Sequence, residues 1–169
     1  SYAIARPATE SLFIGAHGSA SLPKAWLLVG LGSLAVVTVY NRFAATTDLV
    51  KIFGAVSGLS GVILVGLLLA MDAGLSGVHW VLYLWKDLYI VVLIEIFWSF
   101  ANCTVPEERA KWWYGLFCVL GSVGGMVGNL GVGWLAQTTS TAESLWAVVI
   151  LLAIAGLGGW ALARWAGVE

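Results

Sequence analysis

The sequence predicts an all-α integral membrane protein: an antiparallel bundle of five complete transmembrane helices plus a partial helix at the amino end. Three observations predict it. Apolar runs without charge fill most of the chain, at residues 25–40, 52–71, 88–94 with their flanks, 112–136 and 145–163. Hydrophobic residues make up 60% of the chain and charged residues 10%, and the ionisable side chains gather in the gaps. Trp80, Trp112, Trp113, Trp134, Trp146, Trp160 and Trp165 stand near the ends of runs, as interfacial aromatic belts do. A helix needs about 20 mostly apolar residues to cross the hydrocarbon core. In lipid the backbone must satisfy its own hydrogen bonds, so such runs become helices.

Each element can be justified in order within a single bundle over 1–169. Residues 1–15 read as the tail of a helix whose front lies upstream: Tyr2, Ile4, Leu12, Phe13 and Ile14 are apolar, and Arg6 and Glu10 stand at i,i+4. The second helix spans 22–41. Ser21 is its expected cap and Pro23 lies in its first turn, where a missing N–H costs little. Asn41 and Arg42 end it. Thr47 or Asp48 caps a third helix over 48–71. The turn at 72–77 is rich in Gly and Asp, and Ser76 is the expected cap of a fourth helix over 77–102. Thr104 and Glu107 have capping-box spacing, which starts a fifth helix at 105 and carries it to 136. Ser140 and Glu143 repeat that spacing before a sixth helix over 141–165. Every connection is short, so successive helices run antiparallel.

Charge placement sets the expected orientation. Arg42 and Lys51 flank one gap, Arg109 and Lys111 lie in another, and Arg164 follows the last run, whereas 72–77 and 137–144 hold no Lys or Arg. The positive-inside rule puts the loops at 41–51 and 103–111 and the carboxyl terminus in the cytoplasm. A net charge of −1 excludes a basic surface for nucleic acid. The cysteines, Cys103 and Cys118, form no disulfide framework and read as small helix-packing residues. His17 and His79 read as polar interface residues, and no spacing of His, Cys, Asp and Glu predicts a metal site. No phosphate-binding Gly-rich loop with its Lys is present, and nothing resembles a nucleophile with its base. Neither an enzyme nor a cofactor is expected.

The fifth run holds Gly121, Gly124, Gly125 and Gly128, two overlapping small-xxx-small pairs. Missing side chains let helix backbones approach closely in lipid, so these four are the expected packing glycines. The fourth helix carries the chemistry. Lys86, Asp87 and Glu95 lie within a membrane-length segment. A charge at bilayer depth costs at least about 2.5–3.5 kcal/mol and usually faces a partner or a polar interior. Lys86 and Glu95 are roughly 13 Å apart along the axis and fall on opposite faces, whereas Glu95, Ser99 and Asn102 share one. Lys86 and Asp87 read equally as a local pair. Arg6, beside Pro7, reads as a cavity-facing cation or a basic helix end.

One stretch goes beyond composition. Lys86-Asp87, Glu95 and Phe97-Trp98-Ser99-Phe100-Ala101-Asn102 lead into Glu108-Arg109-Ala110-Lys111, then Tyr114-Gly115 and the glycine run to Gly128. This pattern resembles the ATP/ADP translocase family of plastids and intracellular bacteria, within the major facilitator superfamily. Two positions depart from it: Trp112 stands where the family usually has a basic residue, and only Asn41-Arg42 stands in the loop that usually carries a Gly, Asp and Arg signature. The resemblance implies a fold of twelve helices in two six-helix bundles, this chain being the amino-terminal one. It implies a secondary transporter or antiporter of a bacterial inner membrane, moving a small, nucleotide-like anionic solute by alternating access together with a second half. Binding sites in such folds lie near the midplane, and Arg6, Lys86, Glu95 and Asn102 are the residues expected to line it. The competing expectation is a non-transporting transmembrane subunit of a larger membrane complex.

Overall fold

The computed structural model describes residues 1–44 and 47–165, with the backbone alone at 104, 136, 162, 163 and 165. Residues 45–46 and 166–169, assigned above to the cytoplasmic side, lie outside the described residues. Six helices follow one another: α1 (Tyr2–His17), α2 (Leu22–Ala44), α3 (Leu49–Asp72), α4 (Val78–Thr104), α5 (Ala110–Thr138) and α6 (Ser144–Trp165). Four of them, over Ser19–Ala44, Leu49–Asp72, Glu107–Leu135 and Ser144–Ala161, are long and apolar enough to cross a membrane. At 27 residues α4 has the length too, but it carries Lys86, Asp87 and Glu95. Of the five complete transmembrane helices expected, four thus qualify by length and composition, and the remaining one, α4, is the helix whose charges the sequence already marked.

Several helix ends depart from the sequence reading, each for a local reason. Ser21 does not cap α2: its hydroxyl donates to the His17 carbonyl and closes α1 instead. Gly77, at φ 85°, holds the N-cap of α4 in place of Ser76, because that backbone conformation disfavours a side chain. The fifth helix starts at Ala110, not at 105. Pro106 forces Val105 into an extended conformation, and a 3₁₀ turn over Glu107–Arg109 intervenes. The other caps form as read. Asp48 Oδ1 accepts from the Val50 N–H at 2.9 Å. Ser140 and Glu143 exchange reciprocal bonds at 2.9 and 3.2 Å, although the helix itself begins at Ser144 and not at 141.

The core joins four helices. Ile4, Ala5 and Ala8 of α1 meet Leu64 and Leu68 of α3, Leu82 and Trp85 of α4, and Leu145, Val148 and Leu152 of α6. The two other helices hang on this core from either side: α2 packs on α4 and α5 packs on α1. Contacts between side chains fix the directions. Phe13 meets Trp80 and Tyr83, while Tyr2 meets Asp87, so α1 and α4 are antiparallel. The Trp26 indole donates to Tyr83 and the Tyr40 hydroxyl donates to Ser99, so α2 and α4 are parallel. Gly61 faces Leu152 while Gly54 faces Gly156 and Trp160, so α3 and α6 are antiparallel. Consecutive crossings demand these directions.

The packing has an internal symmetry. Exchanging α1, α2 and α3 for α4, α5 and α6 turns the α1–α5 contact into α4–α2 and the α1–α6 contact into α4–α3, while α1–α4 and α3–α6 map onto themselves. Helices α1 and α4, the first of each triplet, stand at its centre.

Close backbone packing occurs at glycines other than those expected. Around Gly121, Gly124 and Gly125 there is open space where a Cβ would stand, so among the described residues nothing packs closely on them. Only Gly128 of that run has a close neighbour: a Cβ there would lie 2.6 Å from the Ala3 Cβ of α1. The tight helix pair is α3–α6. A Cβ on Gly156 would lie 3.4 Å from the Gly58 nitrogen, and one on Gly159 would lie 2.9 Å from the Phe53 ring and 3.4 Å from Gly54. Cys103 and Cys118 are free and exposed, so neither packs in the core as expected.

The outward surface is apolar. Leu27, Leu31 and Leu34 of α2, Val123, Met126 and Leu130 of α5, and Ile150, Ile154 and Leu157 of α6 are all exposed. Soluble monomers rarely leave contiguous apolar patches above a few hundred Å² open to water.

Candidate functional site: a charge network between α1 and α4

Four charged side chains, Arg6, Glu10, Lys86 and Asp87, meet at the α1–α4 contact. Register brings them together. On α1, Arg6 and Glu10 are one turn apart, and Arg6 Nε lies 3.3 Å from Glu10 Oε1. On α4, Lys86 lies eight residues past Val78, roughly 12 Å into the helix. Its Nζ is 2.7 Å from Asp87 Oδ2 and 3.6 Å from Glu10 Oε1. The first is a charge-assisted hydrogen bond, the second an ion pair too long for one. The Tyr2 hydroxyl donates to Asp87 Oδ1 at 3.0 Å. Lys86 Nζ also sits 4.1 Å above the centre of the Tyr83 ring, where the ring's negative face attracts a cation.

Exposure grades across the network. The side chain of Lys86 is 2% exposed, Asp87 19%, Glu10 35% and Arg6 60%. The ammonium is the sealed end and the guanidinium the open one. Two cations and two carboxylates sum to zero. Removing an ion from water costs several kcal/mol, so a buried Lys is kept only where its partners offset that cost. Here two carboxylates and an aromatic face do so. The arrangement offers an outward cation, Arg6, connected through Glu10 to an inner cation, Lys86. An anion reaching Arg6 would compete for the guanidinium that now holds Glu10.

The sequence-named residues separate into two groups. Arg6 and Lys86 join one network, and Lys86 pairs with Asp87 as one reading of the sequence had it. Glu95 does not join them: it is exposed and lies on the opposite side of α4 from Lys86, as the nine-residue spacing required. The shared face of Glu95, Ser99 and Asn102 opens out in the fold, because neighbouring helices claim different parts of it. Ser99 accepts the Tyr40 hydroxyl of α2 at 3.1 Å. Asn102 is exposed, and its Oδ1 accepts the Tyr114 hydroxyl of α5 at 2.6 Å.

Sequence reasoning missed Glu10, Tyr2 and Tyr83 as members of the site. A signal for Glu10 existed. It is a lone carboxylate in an apolar helix, of the sign that Lys86 needs. Among the described residues no cluster of three or more metal-ligating side chains occurs. None of the network's four charged residues lines the groove on the other flank of α4. That groove, about 1110 Å³, lies between α2, α3 and α4, where Trp85, Leu88 and Tyr89 stand on its α4 wall. Compared with protein-family models, curated proteins and solved structures, the chain matches none.

Proposed function

We propose that this chain is the amino-terminal half of a secondary transporter, seated in a bilayer and moving a small anionic solute by alternating access. The observation that carries the reading is the network across the α1–α4 contact, in which the buried Lys86 is joined to Asp87, Glu10 and, at its exposed end, Arg6. Ionisable groups at bilayer depth are expensive, and in membrane proteins they mark ion and substrate pathways. The packing symmetry supports it as well. Two three-helix units of opposite direction are the inverted repeats from which many transporters are built, with the site near the midplane where the repeats meet. That meeting place here is α1 against α4. The apolar outer surface supports a lipid surround, since lipid leaves no penalty on exposed Leu and Ile.

On this reading Arg6 attracts the anion, Lys86 supplies the second positive charge once Glu10 is displaced, and a second half covers the exposed faces of α2 and α5. The nucleotide-like character of the solute rests on the sequence resemblance. The test is uptake of a labelled phosphate-bearing solute by vesicles holding the protein with its second half. Flux above empty vesicles, lost in Arg6→Gln, supports the reading, and absence of flux refutes it.

A second reading has its own observation. The four charges neutralise one another, as those of a purely structural clamp would. A non-transporting subunit of a larger membrane complex would carry such a clamp, and no solute flux would accompany it.

A further inference from the structure

The groove between α2, α3 and α4 belongs to neither the charge network nor its symmetry. It has a volume of about 1110 Å³ and an almost wholly apolar lining. It forms because α2 and α3 both pack on α4 and scarcely on each other. On α2 its wall runs from Leu28 to Phe43, roughly 22 Å at a helical rise of about 1.5 Å per residue. On α3 it runs from Lys51 to Ile63, roughly 18 Å. The hydrocarbon core is about 30 Å thick, so one leaflet takes up about half of that. The groove is therefore longer than one leaflet is deep.

Its lining decides between two occupants. A docked helix in lipid needs small residues for close backbone approach. None of the lining residues is glycine, although α2 and α3 contain several, and the small ones, Thr47, Ala55 and Ser60, are not spaced four apart; Leu59, Ile63, Leu88 and Val92 are typical of the wall. Bulky, branched walls suit a flexible hydrocarbon chain better. Charge points the same way. Lys51 is the one charged residue of the lining, it is exposed, and it stands at the end of the groove beside Phe43 and Thr47. A cation at the mouth of an apolar channel matches an anionic headgroup above an acyl chain.

We propose that this groove holds an anionic phospholipid of the leaflet on the Lys51 side, with its phosphate at Lys51 and an acyl chain between Leu59 and Leu88. The inference rests on the chain being seated in a bilayer and on nothing else in the transport reading.

The test is native mass spectrometry of the detergent-purified chain titrated with phosphatidylglycerol or phosphatidylcholine, after flotation with vesicles has shown insertion. One phosphatidylglycerol should be retained per chain, preferred about fivefold over phosphatidylcholine, the size expected for one basic residue near a membrane surface. Lys51→Gln should abolish the preference, whereas Lys24→Gln should keep it. Ala55→Trp, or Leu59→Trp if the first does not fold, should fill the groove and remove retention of both lipids. A Lys51→Gln protein with unchanged preference, or a filled groove that still retains lipid, overturns the proposal. So does a cysteine at Ala55 that cross-links to protein and not to a photoreactive lipid. A chain that floats yet shows no preference defeats the lipid site alone, and a chain that does not float defeats the bilayer reading with it.

Discussion

The Lys86 ammonium lies 3.6 Å from the Glu10 carboxylate across the α1–α4 contact, and among the described residues this ion pair joins the buried pair on α4 to the more exposed pair on α1. The position of each partner sets what its loss would cost. Asp87 holds Lys86 at 2.7 Å and is mostly buried. Asp87→Leu leaves the ammonium sealed in apolar surroundings with a distant partner. Breaking a buried pair in this way costs about 3–5 kcal/mol. Glu10 is a third exposed, so Glu10→Gln should cost about 1 kcal/mol or less. Lys86→Met combined with Asp87→Leu should recover part of the loss, because no unpaired charge remains. Denaturant unfolding in detergent micelles measures all three. Equal losses for Asp87→Leu and Glu10→Gln would show that the network does not have this gradient.

The glycines predict two different phenotypes. Gly159 meets the Phe53 ring and the Gly54 backbone, so Gly159→Leu must separate α3 from α6 at their tightest point. Overpacking of this kind costs about 1–3 kcal/mol and should lower the melting temperature of the isolated chain. A Cβ on Gly125 would meet none of the described residues. Gly125→Leu should leave melting unchanged and instead weaken association with whatever covers α5. Equal melting for both variants would contradict the packing described for α3 and α6.

Topology can be read by thiol labelling. In a background with Cys103 and Cys118 replaced, single cysteines at Gly74 or Thr139 should react with an impermeant reagent from outside. Cysteines at Arg42 or Arg109 should not. The α1–α4 and α3–α6 directions require only that successive helices alternate, so labelling tests the basic-residue rule and not the fold. Reaction at Arg42 with protection at Gly74 would invert the orientation.

The sequence made the helices legible because burial in lipid leaves little choice: long apolar runs separated by short polar turns can only alternate. Caps with a side-chain mechanism, Asp48 and the Ser140–Glu143 pair, were readable for the same local reason. Pairing between distant segments was not. Gly54 and Gly58 have the same spacing as Gly121 and Gly125, and only the fold decides which pair meets a neighbouring backbone. Lys86 announced itself as a buried cation, but its partner Glu10 lies three helices earlier. No local pattern distinguishes Glu10 from Glu95. The shared face of Ser99 and Asn102 was correct as helical geometry and incomplete as structure, since Tyr40 and Tyr114 approach it from opposite sides.

Transport gives the sharpest prediction because the network orders its two cations, Arg6 outside and Lys86 inside. Arg6 is the exposed cation, so Arg6→Gln should raise the KM for an anionic solute about tenfold, the equivalent of one charge-assisted hydrogen bond. Its effect on folding should be small, since the Arg6–Glu10 pair is largely in solvent. Lys86→Gln keeps the shape of the side chain and should act differently. It removes the inner charge, so it should lower kcat together with stability. Glu95 lies outside the network and is exposed, so Glu95→Gln separates two roles. If it lines the pathway between two halves, exchange in reconstituted vesicles should fall while melting stays at the wild-type value. If it faces lipid or a structural partner, flux and melting should both be unchanged. Loss of flux in Glu95→Gln with unaltered behaviour in Arg6→Gln and Lys86→Gln would move the pathway from the α1–α4 contact to the opposite side of α4.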